Sequence, residues 1–191
     1  MTESEIGLMA VGKLHGGQVD WNFQYPRIFD KVSLPKGRTL DVGSNDARFS
    51  RWLKAVDINP EVISLEIRER SYFEEIMVRG DGHAIPFLND SFDEVVSFHA
   101  LPVFSGSEEE EAIALNEMLR VAKKRVVIWP TPMTWTEDAN REEETNVREA
   151  ITSHLNGALD LNRLSLIEII PVYCVATHIE IGGRILVLKK C

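Results

Sequence analysis

Hydrophobic and polar residues alternate in a regular way through the middle of the chain. Short apolar runs rich in branched residues are separated by longer stretches in which apolar residues recur at helical spacing. This alternation is typical of strand–helix–strand units built around a parallel sheet. The pattern predicts strands at 39–43, 62–67, 77–80, 93–98 and 125–130. It predicts helices at 45–55, 68–76 and 107–122.

The helix predicted at 107–122 has two further signals. Ser107 followed by Glu110 forms a capping box, in which each side chain accepts from a backbone N–H that the helix start leaves without a partner. Apolar residues then fall on one face of the helix, at Ala112, Leu115, Met118, Leu119 and Ala122. This face is expected to pack against the sheet.

The end of the chain carries a different pattern. Two apolar runs, "SLIEIIPVYCVATHIEI" and "RILVLKK", flank Gly182 and Gly183. Two adjacent glycines between apolar runs favour a two-residue hairpin turn, because such a turn needs positive φ angles. We therefore expect an antiparallel pair of strands to complete the sheet, after a polar helix at 140–156.

Composition and charge narrow the class of protein. The chain has 191 residues, of which 44% are hydrophobic and 27% charged, and its formal net charge is −9. This length suits a single domain with one core. Because an acidic surface does not attract phosphate backbones, no nucleic-acid partner is expected. The short basic runs at 68–70 and 123–125 are interpreted as solvated surface.

Targeting signals and a disulfide framework are not evident. No window of about 18 apolar residues occurs, and "MTESEIGLMA" lacks the basic-then-apolar order of a secretory signal. We expect a cytoplasmic protein without membrane contact. The two cysteines, Cys174 and Cys191, lack metal-ligand spacing, and Cys174 is interpreted as a small buried hydrophobic residue.

Candidate ligand-binding residues follow the first strand, because ligands of open parallel sheets bind beyond the carboxyl ends of the strands. Gly43 allows a close approach of backbone and ligand. A dinucleotide site would carry G-x-G-x-x-G, whereas Asn45 and Arg48 occupy the second and third glycine positions, which argues against a nicotinamide or flavin cofactor. Asp41 argues the same way, since its carboxylate would repel phosphate and attract an ammonium group.

Further polar residues follow the next strands in order. Glu66 ends the second strand, where an acidic side chain can accept both hydroxyls of a ribose. Asp81 follows the third strand and is placed to accept from an exocyclic amine such as that of adenine. His99 stands at the carboxyl end of the fourth strand. A solvated strand terminus would explain Glu66 alone, but the ordered set points to one site.

Four segments between about residues 38 and 130 resemble the class I S-adenosylmethionine-dependent methyltransferases, and most closely their type 11 branch. They are "LDVGSNDARFSRWL", "VISLEI", "GDGHAIPFLNDSFDEVVSFHAL" and "ALNEMLRVAKKRVVIWP". The resemblance implies an α/β, Rossmann-like three-layer sandwich. Its seven-stranded sheet would be mostly parallel, with an antiparallel C-terminal hairpin strand. The single domain, 1–191, would comprise an N-terminal cap segment (1–36), a cofactor-binding core (37–130) and a substrate-side loop, helix and hairpin (131–191).

The resemblance also implies the cofactor, S-adenosyl-L-methionine with S-adenosyl-L-homocysteine as product, and the residues that hold it. The methionine end would lie against Asp41 and Gly43, the ribose against Glu66, and the adenine against Asp81, Gly82 and His83. Ser44, Asn45 and Ile67 would also belong to the cofactor site. His99 would border the transferred methyl group. Asn45 and Ala47 stand where the family commonly has glycines, and the family's proline-glycine turn before the fifth strand is missing.

The expected activity is methyl transfer to a small-molecule acceptor, without a metal. His99 is the candidate general base, and a packing residue beside the cofactor is the alternative interpretation. The N-terminal aromatics Trp21, Phe23 and Tyr25 either pack over the site or belong to a helix that covers the sheet edge. The alternative function is that of a non-catalytic regulator or partner subunit of the same fold. The sequence leaves homodimer formation open.

Overall fold

The computed structural model describes residues 21–58, 60–69, 76–98, 100, 108–129, 164–176 and 179–190. Its helices are α1 (Trp21–Lys31), α2 (Arg48–Ala55) and α3 (Glu108–Val121). Its first strands are β1 (Thr39–Val42), β2 (Val62–Glu66), β3 (Ile76–Arg79) and β4 (Phe92–Phe98). The remaining strands are β5 (Ala122–Trp129), β6 (Leu164–Ala176) and β7 (Ile179–Lys190).

The described strands form one seven-stranded sheet in the order β3-β2-β1-β4-β5-β7-β6. Strands β1 to β5 pair in parallel, and β7 pairs antiparallel with both β5 and β6. The predicted fold class, a mostly parallel sheet with an antiparallel C-terminal strand, is confirmed. The strand order reverses between β1 and β4, and such a reversal opens a crevice at the carboxyl edge of a parallel sheet.

Helices cover both faces of the sheet and make it a three-layer structure. On one face α3 buries Leu115 and Met118 against the strands. On the other face α1 and α2 bury Ile28, Phe49 and Trp52 in a second cluster. The central strands β1 and β2 are buried on both sides, as expected for a sheet covered by helices on both faces. No helix within the described ranges combines the length and apolarity that a membrane span needs.

The predicted turn at Gly182-Gly183 is wrong. Gly182 pairs with Tyr173 and Gly183 with Val172, inside the β6–β7 ladder, and Ala176 pairs with Ile179 at its end. The ladder therefore runs through both glycines to this last pair, and residues 177–178 lie outside the described residues. Glycine also occurs in strand interiors, so two adjacent glycines do not by themselves mark the point where a chain reverses.

Two element boundaries differ from the prediction for local reasons. Helix α2 begins at Arg48 rather than 45, because Asn45 and Ala47 have φ angles of 54° and 55°, which a right-handed helix excludes. Strand β5 begins at Ala122 rather than 125, directly after α3. Without a proline-glycine turn, the chain passes from helix to strand with no separate loop.

Two predicted helices extend over residues that the structure does not describe. Arg68 and Glu69 are not helical and Ile76 belongs to β3, while 70–75 lie outside the described residues. The helix predicted at 140–156 and the capping residue Ser107 also lie outside them.

Candidate functional site

A cavity of about 480 Å³ lies at the carboxyl ends of β1 to β4. This volume is within the range of about 300–1,000 Å³ that is usual for small-molecule sites. The lining residues include eight of the predicted site residues: Asp41, Gly43, Ser44, Asn45, Glu66, Ile67, Asp81 and Gly82. Loops that follow three neighbouring parallel strands therefore meet at one site, as their order in the sequence predicts.

The loop between β1 and α2 has a left-handed backbone at alternate positions. The φ angles are 72° at Gly43, 54° at Asn45 and 55° at Ala47. Asparagine adopts this conformation more readily than most residues, and for alanine it costs about 1–2 kcal/mol. Asn45 and Ala47 therefore adopt backbone angles that glycine would adopt without cost, and Ala47 is strained.

Glu66 fixes this loop from the end of β2. Its Oε2 accepts the Asn45 backbone N–H at 2.9 Å. Its Oε1 accepts from Arg68 twice, at 3.1 Å from the backbone N–H and 3.1 Å from Nε. The Glu66 side chain is buried, so these bonds satisfy a carboxylate that burial would otherwise destabilise. Glu66 thus stabilises the left-handed turn at Asn45.

Asp41 is the most strongly perturbed carboxyl group of the cavity. Its side chain is 3% exposed, and it makes no hydrogen bond within the part of the chain that the structure describes. Burial raises the pKa of Asp41 to about 8, and the negative charges of Glu66 and Asp46 contribute in the same direction. The ligand-free site therefore favours a protonated Asp41, and a cation in the cavity would favour its ionised form.

Asp81 is held by the turn that follows β3. Its Oδ1 accepts the His83 backbone N–H at 2.9 Å and lies 2.7 Å from His83 Nδ1. These bonds lower the pKa of Asp81, the backbone N–H of His83 contributing most. Oδ2 makes no hydrogen bond to a described residue, which leaves it able to accept from a ligand. His83 itself does not line the cavity; it orients Asp81.

His99 lies outside the described residues. Phe98 and Ala100, on either side of it in sequence, both line the cavity. Two described residues beside position 99 therefore border the site, and the role of the His99 side chain stays a prediction.

Sequence reasoning did not assign Tyr25 to the site. Its ring is 3% exposed, lines the cavity and lies with its centroid 5.3 Å from that of Phe49 and 5.4 Å from that of Phe98. Burial raises the pKa of Tyr25 well above its ordinary value, and the negative charge of Asp41 acts in the same direction. The phenol stays neutral and is a potential hydrogen-bond donor. The N-terminal aromatics were the available signal, but they did not show which ring reaches the cavity.

Arg48 is a second missed lining residue. It is the first residue of α2, and its Nε lies 2.6 Å from Asp46 Oδ1. The cavity thus combines carboxyl groups at three strand ends with a guanidinium group at the start of a helix. This arrangement suits a small ligand that carries charges at one end and hydroxyl and amine groups at the other.

Comparison with known proteins agrees with this architecture. A family profile described as a methyltransferase domain matches residues 40–129. Among proteins with curated functions, none matches the sequence significantly.

Solved structures of methyltransferases share the fold. One is an S-adenosylmethionine-dependent methyltransferase of Methanosarcina mazei, with 13% identity and a TM-score of 0.60 over 85% of this chain and 96% of that chain. Another is a proposed methyltransferase in complex with the Trm112 methyltransferase activator of Haloferax volcanii, with 14% identity and a TM-score of 0.61 over 85% and 86%. A third, from Thermotoga maritima, has 16% identity and a TM-score of 0.54 over 88% and 95%.

Identities this low indicate a shared fold and leave the reaction open. The family profile, the strand order and the position of the cavity nevertheless agree. Residues 40–129 thus match the methyltransferase-domain family, and the described strands have the fold of solved S-adenosylmethionine-dependent methyltransferases.

Proposed function

We propose that the protein is a cytoplasmic methyltransferase that uses S-adenosyl-L-methionine to methylate a small-molecule acceptor and releases S-adenosyl-L-homocysteine. One observation supports this proposal most strongly. A single cavity brings together Asp41, Glu66 and Asp81 at the ends of three adjacent strands. Their order along one edge of the sheet suits a ligand with an ammonium group, a ribose and an adenine in that order.

The Asp41 end of the cavity fits the cationic part of such a ligand. A buried carboxyl group that ionises only above neutral pH gains most from a nearby positive charge. S-adenosylmethionine carries an ammonium and a sulfonium group. We expect Asp41 to accept from the ammonium group and to ionise as it does so.

The other end fits a nucleoside. Glu66 can accept from ribose hydroxyls if Arg68 gives up its bonds to Oε1. Asp81 Oδ2 can accept from the adenine amino group, and Ile67, which is 52% exposed, offers an apolar surface beside it. Glu66 and Asp81 each already accept a backbone N–H, from Asn45 and His83, which limits the ordering cost of binding.

The bound cofactor supplies a methyl group on a positively charged sulfur, already activated toward in-line displacement. The remaining task of the protein is to orient the reactants and exclude water. Tyr25 and Phe98 line the cavity together with Asp41, and these buried rings give that part of it an apolar wall. We propose His99 as the general base for acceptors that arrive protonated. We assign acceptor binding to 131–191 and to the cap segment, 1–36.

The alternative, a non-catalytic partner subunit, is suggested by the missing glycines. The left-handed backbone at Asn45 and Ala47 favours the enzyme over this alternative, because the loop still borders an open cavity. The Haloferax volcanii protein forms a complex with an activator. We therefore propose that assays for the methyl acceptor of this protein also contain a partner protein.

Calorimetric titration with S-adenosylmethionine tests the proposal. The intact protein should bind one equivalent, and Asp41→Ala and Glu66→Ala should weaken binding. Glu61→Ala is the matched control, because Glu61 is an exposed carboxylate paired with Arg38 at the opposite edge of the sheet. Labelled cofactor incubated with cell extract would then reveal the acceptor. A protein that binds no cofactor would contradict the enzyme assignment.

A further inference from the structure

The backbone amides of the β1–α2 loop are already used within the protein. The Gly43 and Ser44 N–H groups donate to the Leu65 carbonyl at 2.9 and 3.1 Å. The Asn45 N–H donates to Glu66, and the Ala47 N–H donates to the Ser44 carbonyl at 3.0 Å. These four amides are therefore not available to an anionic group in the cavity.

Carboxyl groups surround the same part of the cavity. Asp41 is buried there, and burial, with a smaller contribution from the charges of Glu66 and Asp46, raises its pKa. A ligand whose ammonium group lies against Asp41 brings an adjacent carboxylate into this field if the ligand is an α-amino acid. Such a carboxylate needs a cation close by, because an unpaired charge in a partly buried site is costly.

Two arginines line the cavity among the described residues, Arg48 and Arg68. Arg68 is bonded to Glu66, at the end of the cavity formed by β2. Arg48 lies at the other end, where its positive charge lowers the pKa of Tyr25 and so opposes the effect of burial. Its ion pair with Asp46 involves Nε, and its terminal nitrogens make no hydrogen bond to a described residue.

We infer that Arg48 binds the carboxylate of the ligand's amino-acid group, so that Asp41 and Arg48 together recognise a zwitterion. This inference rests on the proposed function. A guanidinium group can donate two parallel hydrogen bonds to a carboxylate, which the loop amides cannot supply here. Arg48 thereby selects ligands with an intact amino-acid group over nucleosides that lack it.

The test compares ligands that differ only at this group. S-adenosylmethionine and S-adenosylhomocysteine carry both the ammonium and the carboxylate, decarboxylated S-adenosylmethionine keeps the ammonium alone, and 5′-methylthioadenosine has neither. Arg48→Gln should weaken the first two by about ten- to hundredfold, the range for a lost charge-assisted hydrogen bond, and leave the last two within about twofold. Asp41→Asn should weaken all three aminated ligands and spare 5′-methylthioadenosine.

Arg51→Gln is the matched control. Arg51 is paired with the same carboxylate, Asp46, at 2.9 Å, but it does not line the cavity. It should leave all four affinities unchanged. If Arg48→Gln weakens decarboxylated S-adenosylmethionine as much as S-adenosylmethionine, Arg48 only supports the loop and the inference is wrong. If the intact protein binds none of the four ligands, the proposed function fails and the inference fails with it.

Discussion

Replacing Asp41 with asparagine should stabilise the ligand-free protein, and by more as the pH rises. The pKa of Asp41 is about 8 in the folded protein and 3.8 ordinarily, so the folded state holds the extra proton between these values. The stability that this proton contributes is fully present below the lower pKa and is lost as pH rises through the higher one. The asparagine side chain of the variant does not titrate and has no such proton to lose.

The size of this stability difference follows from the number of protons that the folded state binds in excess of the unfolded state. One extra bound proton in the folded state lowers the free energy of unfolding by about 1.4 kcal/mol per pH unit. From about pH 5 to about pH 8 the wild-type protein should therefore lose about 4 kcal/mol relative to Asp41→Asn. In this size range, that difference corresponds to a shift of about 10 °C in the midpoint of thermal unfolding.

Urea unfolding at a series of pH values measures this difference. The fluorescence of Trp52 and Trp129, both buried, reports on the core. Asp30→Asn is the control, because this carboxyl on α1 is 61% exposed and its removal should leave the pH profile parallel to that of the wild type. A stability difference between Asp41→Asn and wild type that stays constant with pH would refute the reasoning, because it would show that folding does not perturb this carboxyl.

Two further substitutions test the frame of the site. Gly80→Ala should destabilise the protein by about 1–3 kcal/mol in urea unfolding, because a Cβ at Gly80 would lie 2.7 Å from Leu65 Cδ1. An unchanged midpoint of urea unfolding would contradict the close packing of β2 against the loop that follows β3. Glu66→Gln should weaken S-adenosylmethionine binding at least about tenfold in calorimetry, since an amide cannot accept the hydrogen bonds from both Asn45 and Arg68. Unchanged affinity in Glu66→Gln would show that this carboxylate neither shapes the loop nor contacts the ligand.

The parallel strands were predictable because their sequences reflect burial on both faces. Leu40, Val95 and Val126 belong to short segments that contain branched apolar residues, and all three are fully buried. The turn predicted at Gly182-Gly183 was wrong because turn propensity is a local property, whereas β6 and β7 pair along their full length. The extent of that ladder depends on long-range contacts that no short sequence window contains.

The carboxylates of the candidate site were predictable for a geometric reason. Parallel strands end at a common edge, so Asp41, Glu66 and Asp81 had to lie near one another. Tyr25 reaches the same edge only through the packing of α1 against α2, which its position in sequence does not reveal. Arg48 enters the cavity because the preceding loop adopts left-handed angles at residues for which glycine is the usual choice.

The central claim is that this acidic cavity binds S-adenosylmethionine, with Asp41 against the ammonium group. Calorimetric titration near neutral pH, in two buffers of different ionisation enthalpy, measures both binding and the protons it releases. One equivalent should bind and up to one proton should be released, because binding lowers the pKa of Asp41 from about 8. Asp41→Asn should abolish this release. The absence of binding, or a proton release that persists in Asp41→Asn, would contradict this claim.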